Sequence, residues 1–247
     1  MEPKKIFLLY LLVFSVYSCS VKRNIINTSE REIIILEKNE SKGNEISSIP
    51  DVKISDNQHN VKINISDTTF VNLKDFGNDF VYDMKYATED NFLKSKVYDC
   101  EACYLRYKTV KALLKVNERF LKKGYRIKLF DCYRPLDIQK KMWTIVSNPN
   151  YVADPKKGSI HNRGGAVDIT LVDSQGKELD MGTTFDYFGI EASHDFENLP
   201  AEVLKNRKLL KNIMIQNDFR IFESEWWHYN LKNSRKDNLS NFKWKCD

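Results

Sequence analysis

The spacing of apolar and polar positions changes character along this chain. Residues 20–66 are rich in Asn, Ser, Lys, Glu and Ile, with no sustained apolar period and few aromatics. Such a stretch buries too little to offset the entropy of ordering, and it reads as a flexible tether. The Ile33-Ile34-Ile35-Leu36 run is the exception and suits a short strand. From Thr69 onward the aromatics become frequent and the spacing regular. Val110, Leu113, Leu114, Phe120 and Leu121 recur at helical spacing and predict a helix over 105–123, with Gly124 as its stop. Tyr125, Ile127 and Leu129 alternate with Arg126, Lys128 and Phe130, a strand closing at Asp131. Pro135 can open a short helix to about Val146. Val167, Ile169 and Leu171 alternate again. Residues 200–216 suit a helix with Val203, Leu204, Leu210 and Met214 inward, and Phe219 to Leu231 is strand-like at both ends. Helices and strands mix without a regular βαβ alternation. The expected class is α+β: one domain, its largely antiparallel sheet flanked by helices. No internal repeat is evident.

Composition narrows the possibilities. A 42% hydrophobic and 12% aromatic content supports a real core. The net charge of +5 is spread, with Lys and Arg alternating with Asp and Glu. A nucleic-acid footprint needs clustered basic residues, so no nucleic-acid partner is expected. Lys4 and Lys5 precede an apolar run from Ile6 to Val16, too short to span a bilayer comfortably. The run ends at Val16-Tyr17-Ser18-Cys19, which resembles a bacterial lipobox with a bulky Tyr17. This predicts a signal peptide over 1–18, lipidation of Cys19, and an exported protein anchored to a membrane. Export means an oxidising compartment. Beyond Cys19 there remain Cys100, Cys103, Cys132 and Cys246, an even number with three possible pairings that sequence does not choose among. No second CxxC or CxxH follows Cys100-x-x-Cys103, so a zinc ribbon is disfavoured.

Two short segments carry candidate chemistry. The first runs from Gly158 to Asp168 and holds Ser159 and His161; the second is Glu223-Ser224-Glu225-Trp226-Trp227-His228-Tyr229. Val167, Ile169 and Leu171 face the core, so Asp168 points to the other side of the same strand. The Gly164-Gly165 pair permits a tight turn that returns His161 to Asp168. An imidazole and a carboxylate converging this way suit Zn²⁺. Of four histidines, His59 lies in the tether and His194 in Glu191-Ala192-Ser193-His194-Asp195, read as a surface loop. His228 would complete a His–Asp–His shell with one position open for water. Glu225 could then accept the water proton and pass it to a leaving nitrogen. The tryptophans would limit water access. A third element is Phe130-Asp131-Cys132-Tyr133-Arg134-Pro135, where Arg134 either stabilises an oxyanion or pairs structurally with Asp131.

Together these segments are similar to the VanX-type D-alanyl-D-alanine dipeptidases, zinc enzymes related to D,D-carboxypeptidases and the Hedgehog N-terminal domain. The resemblance runs from about Phe70 to the C-terminus. It includes Val81 to Thr88 with Asn91-Phe92, the Asp131 to Pro135 turn, Ser-x-His-x6-Asp, Asp180-Met181-Gly182-Thr183 with Phe185-Asp186, Asn206-Arg207 and Glu225-Trp226-Trp227-His228. It implies a fold of that type over residues 67–247, following the lipidated tether that composition places over 19–66. It also implies one zinc ion on His161, Asp168 and His228, Glu225 as general base and acid, and Arg134 at the transition state. Ser159 would line the pocket for the substrate carboxylate, and Tyr86 and Asp186 would meet the free ammonium of a D-Ala-D-Ala substrate. A carboxylate at that end restricts an enzyme to dipeptides. The export signal, tether and cysteines depart from relatives that act inside the cell, and suggest cell-wall peptide turnover. The competing expectations are a zinc D,D-carboxypeptidase or peptidoglycan endopeptidase, and a zinc-stabilised binding module. Retention of Glu225 argues against the last, since a structural zinc site needs no proton shuttle.

Overall fold

The computed structural model describes residues 64–149 and 151–246. The expected signal peptide, Cys19, the Ile33–Leu36 strand, His59 and the tether up to residue 63 lie outside the described residues. The elements in chain order are β1 (Phe70–Asn72), β2 (Val81–Tyr82), β3 (Tyr104–Arg106), α1 (Tyr107–Leu121), β4 (Arg126–Asp131), α2 (Leu136–Ile145), β5 (Ala166–Val172), α3 (Ala201–Ile215), β6 (Phe219–Phe222) and β7 (Glu225–Leu231). The class is α+β. A five-stranded sheet runs in the order β2-β4-β5-β7-β6, and β1 pairs with β3 separately. The β4–β5, β5–β7 and β7–β6 pairs are antiparallel. The short edge strand β2 is parallel to β4, a departure from the antiparallel pattern. Among the described residues no helix is long and apolar enough to cross a membrane.

The helices form where the apolar spacing places them. Val110, Leu113, Val116 and Phe120 of α1 are fully buried, and α1 packs on β4 and α3. Each such side chain contributes roughly 1.5–3 kcal/mol of transfer free energy. Gly124, with φ +81, follows the helix in the left-handed conformation that a glycine adopts cheaply. Leu105 and Arg106 belong to β3, not to the helix: Leu105 pairs with Val71, and Arg106 is held by tertiary bonds. Its guanidinium donates to the carbonyls of Arg163 at 2.8 Å, Thr68 at 2.5 Å and Asn238 at 3.1 Å. Leu121 stays 38% exposed, so it is not the core residue its spacing suggests.

Strand β5 is central and buried along its whole length. Val167, Ile169 and Leu171 enter the hydrophobic core, while Asp168 and Thr170 alternate with them. That alternation puts a carboxylate on the sheet face opposite the core residues.

Candidate active site

Three neighbouring strands carry the site. Asp168 of β5 is paired with Asp131 of β4 on one side and with His228 of β7 on the other. The β4 register slips between Leu129 and Asp131, so Phe130 is an extra residue and Asp131 comes level with Asp168. His161 arrives from outside the sheet, on a 3-10 turn over His161–Arg163. Gly164 ends that turn in the left-handed region, with φ +68. At Gly165 a Cβ would stand 2.3 Å from the Cβ and Oγ of Ser234, so only glycine fits. The glycine pair therefore makes the return that lays His161 beside Asp168.

The donor atoms face one another. His161 Nε2 is 3.2 Å from His228 Nδ1 and 3.3 Å from Asp168 Oδ2. His228 Nδ1 is 3.0 Å from Asp168 Oδ1, yet that buried oxygen has no hydrogen-bond partner. The outer nitrogens fix the tautomers. His161 Nδ1 lies 2.6 Å from the Cys132 carbonyl, which can only accept, so Nδ1 carries the hydrogen and Nε2 the lone pair. His228 Nε2 lies 2.9 Å from Asn230 Oδ1, leaving Nδ1 bare in the neutral ring. One ligand atom from each residue falls within 4.8 Å of the others. Three inward lone pairs, with outer partners already satisfied, fit a divalent cation such as zinc. The carboxylate and the neutral imidazoles would attract a cation, whether a metal ion or a proton. Burial disfavours a charged His228, but the Asp168 carboxylate prevails and lifts it to about 9. Burial would likewise raise Asp168, but the two imidazoles hold it far below the ordinary carboxylate range.

Glu225 sits three residues before His228, which on a regular strand would point the two to opposite faces. Strand β7 is not regular there. Ile221 pairs with Tyr229 but the next residue, Phe222, pairs with Glu225, so β7 bulges between them. Trp226 and Trp227, which lie within the bulge, are both buried, and Glu225 Oε2 comes to 3.7 Å from His228 Nδ1. Burial raises the Glu225 carboxyl above its usual value. Two carboxylates with shifts of opposite sign suit different tasks, ligand for Asp168 and proton carrier for Glu225.

Arg134 is buried and held in place. Its Nε and Nη2 donate to Asp131 Oδ2 at 3.1 and 2.6 Å, and Nη1 to Gln139 Oε1 at 3.1 Å. The structural pairing of Arg134 with Asp131 is thus present. The guanidinium also lies 5.2 Å from the centre of the Tyr86 ring, and its charge reaches Asp168, Asp186 and Glu225. Tyr86 and Asp186, a hundred residues apart, meet: the hydroxyl donates to Asp186 at 3.2 and 3.1 Å. Asp186 has φ 57, a costly conformation for a non-glycine residue and common where geometry is imposed by function. Its carboxyl is pushed well up, first by burial and then by Asp168. A cleft of about 350 Å³ opens beside it, lined by Lys85, Asn91, Phe92, Phe130 and Asp186. That cleft includes none of the three candidate ligands. Ser159 is engaged with Asn162, whose Oδ1 accepts its backbone N–H at 2.7 Å; it shapes the turn before His161. His194 is half-buried rather than on the surface, tied to Glu223 by its backbone, with Nε2 buried and without a hydrogen-bond partner.

The sequence reading missed several supporting residues. Asn162 donates to the Arg134 carbonyl at 2.8 Å, and Tyr98 donates to Asp131 at 2.7 Å. Asn230 was findable, since it shares a strand face with His228 two residues before it. Gln139 and Tyr98 carry no such signal. The four cysteines pair as Cys100–Cys246 and Cys103–Cys132, so the CxxC spacing joins neither to the other.

Comparison with known proteins agrees with this geometry. The chain is 37% identical over 169 residues to a D-alanyl-D-alanine dipeptidase of Escherichia coli (strain K12), covering 68% of this chain and 87% of that one. It is 30% identical to a D-alanyl-D-alanine dipeptidase of Enterococcus faecium, covering 61% and 85%. A D-alanyl-D-alanine dipeptidase of Streptomyces coelicolor is also 30% identical, with the same coverage. The profile of the Peptidase M15 family, described as D-ala-D-ala dipeptidase, matches residues 66–244. A match over most of the chain, and over nearly all of the described residues, makes this chain a member of the Peptidase M15 family, a family of metallopeptidases.

Proposed function

We propose that this protein hydrolyses the D-Ala-D-Ala dipeptide, using one zinc ion held by His161, Asp168 and His228. The observation that carries the reading is the trio of ligand atoms turned toward one another, on two buried residues and a half-buried His228, with a raised carboxyl 3.7 Å away. A zinc ion there would supply Lewis acidity, making water nucleophilic at neutral pH and polarising the scissile carbonyl. Glu225 takes the proton of the attacking water and delivers it to the departing amine; its raised affinity for protons suits both halves of that task. Arg134, its fork fixed by Asp131 and Gln139, donates to the oxyanion as it forms. Asp186, hydrogen-bonded by Tyr86, meets the free ammonium of the substrate, whose positive charge favours the ionised carboxylate. An N-acylated peptide brings no charge to that carboxylate, which favours dipeptides over longer muropeptides. Ser159 would line the pocket for the substrate carboxylate. Trp226 and Trp227 keep bulk water from the centre.

The catalytic domain spans residues 67–247. It follows a signal peptide over 1–18 and a tether over 19–66 that begins at a lipidated Cys19, which anchors an exported protein to a membrane. Two disulfides in the described residues favour an oxidising compartment. There the enzyme would act on dipeptides in cell-wall turnover. The test offers purified protein D-Ala-D-Ala and an N-acylated muropeptide side by side. Turnover of the dipeptide alone is expected; cleavage of the acylated peptide with no dipeptide turnover would make the protein a carboxypeptidase or endopeptidase.

A further inference from the structure

The turn that follows β4 leaves the sheet, and its backbone serves the site at both polar ends of Cys132. The Cys132 carbonyl accepts from His161 Nδ1 at 2.6 Å. The Cys132 N–H donates to Asp131 Oδ1 at 2.9 Å, and the same carboxylate grips Arg134 through Oδ2. One peptide segment therefore orients a candidate metal ligand and the residue that aims the candidate oxyanion donor. The turn is bonded on to its surroundings by Tyr133 N to the Tyr104 carbonyl at 3.0 Å and by Arg134 N to the His161 carbonyl at 3.1 Å. Its covalent attachment is the Cys103–Cys132 disulfide, both halves fully buried. Cys103 stands immediately before β3, and its own carbonyl accepts from Leu73 N at 2.9 Å. The turn is thus anchored to the small β1–β3 sheet, a different structural unit from the strands that carry Asp168 and His228.

We infer that the Cys103–Cys132 disulfide is a positioning device for the metal centre, holding the Cys132 carbonyl against His161 and the Asp131 carboxylate against Arg134. The inference rests on the metallopeptidase reading above. Partners that orient a metal-bound histidine typically change metal affinity by about 10–100-fold when lost. The second disulfide makes the claim testable. Cys100–Cys246 joins residues 146 apart, against 29 for Cys103–Cys132, so on chain entropy it stabilises the fold more. It ends at an exposed Cys246, and neither cysteine bonds to the site. If both disulfides only stabilised the fold, removing Cys100–Cys246 would do more damage by every measure. A positioning role reverses the order for metal affinity alone.

The experiment compares the full chain with C103S/C132S and C100S/C246S. Three quantities are read: zinc affinity against a competing chromophoric chelator, the visible spectrum of the cobalt(II)-substituted protein, and thermal unfolding. C103S/C132S is expected to lose at least about tenfold in zinc affinity and to change the cobalt spectrum. C100S/C246S is expected to melt at the lower temperature, with zinc affinity within about twofold of the parent. Parental zinc affinity and cobalt spectrum in C103S/C132S would overturn the inference, as would affinity losses that simply follow the melting temperatures. Should C103S/C132S fail to fold, the parent protein is reduced stepwise with a phosphine, with opened thiols counted by alkylation and mass. Zinc is then expected to be kept when Cys100–Cys246 opens and weakened when Cys103–Cys132 does; loss on opening Cys100–Cys246 alone, or full retention after Cys103–Cys132 opens, overturns the inference. A parent chain that binds no zinc overturns the functional reading and this inference together. A parent that binds zinc no better than a folded C103S/C132S overturns the inference alone.

Discussion

Gly165→Ala tests whether the glycine turn is what carries His161 to the sheet. The added Cβ would stand 2.3 Å from both the Cβ and the Oγ of Ser234, and 3.3 Å from Ile160 Cγ2. Non-bonded carbons settle at about 3.5–4.0 Å, so more than about 1 Å must be recovered. A Cβ is fixed by its backbone and no rotamer change relieves it. The turn itself, or the Asn233–Ser234 segment, has to move. Overpacking of this kind costs about 1–3 kcal/mol. The Gly165 carbonyl also accepts from Leu231 N at 2.8 Å, and straining that bond adds about 1 kcal/mol. The expected loss is therefore about 2–4 kcal/mol, or roughly 4–16 °C in melting temperature for a domain of this size. Ser234→Gly removes both offending atoms. Ser234 Oγ is buried with no hydrogen-bond partner, so that change alone should cost only about 0.5–1 kcal/mol in backbone entropy. Urea denaturation of the parent, both single variants and the double variant closes the cycle, with zinc affinity measured on each. The double variant should recover about 1–3 kcal/mol relative to additivity. A Gly165→Ala protein as stable as the parent, or a strictly additive cycle, would refute the steric argument.

Glu225→Gln should keep one zinc per chain while kcat falls about 10²–10⁴-fold, as for loss of a general base; unchanged turnover would remove Glu225 from the chemistry. Because burial raises the Glu225 carboxyl, it should titrate above the ordinary glutamate range in the metal-free protein, as side-chain carboxyl NMR against pH would read; titration at or below that range would contradict the burial argument. His228 is lifted to about 9 and must be neutral to bind metal, so zinc addition at neutral pH should release a proton. Apparent zinc affinity should then rise with pH up to about 9 and level off, which calorimetry in buffers of different ionisation enthalpy would read. Chain entropy over separations of 146 and 29 residues gives about 5 and about 3.6 kcal/mol for the Cys100–Cys246 and Cys103–Cys132 disulfides. Denaturation midpoints in the opposite order would show that strain or residual structure dominates.

Much of this fold is legible because its local patterns agree with its packing. The period of α1 and the alternation of β4 and β5 each report a real buried face. The alternation at Val167, Ile169 and Leu171 sets Asp168 apart, and the glycine pair signals a tight return. What sequence could not give arises from long-range geometry. Leu105 and Arg106 fit the helical period, yet Arg106 bonds carbonyls from three distant segments and draws the chain into β3. The bulges at Phe130 and before His228 break period two, and they are what bring Asp131 and Glu225 to the site. Tyr86 and Asp186 meet across a hundred residues, and no local pattern encodes that contact. The cysteine pairing had three solutions, and only spatial proximity selects between them.

The central claim is that His161, Asp168 and His228 converge on a catalytic zinc ion. The most direct measurement is D-alanine release from D-Ala-D-Ala by metal-stripped protein as zinc is titrated back, with bound zinc counted in the same samples. The account predicts saturation at one zinc per chain, a rate proportional to occupancy, and loss of both in His228→Ala. Hydrolysis that persists in the stripped protein, or zinc bound at full stoichiometry by His228→Ala, would contradict it.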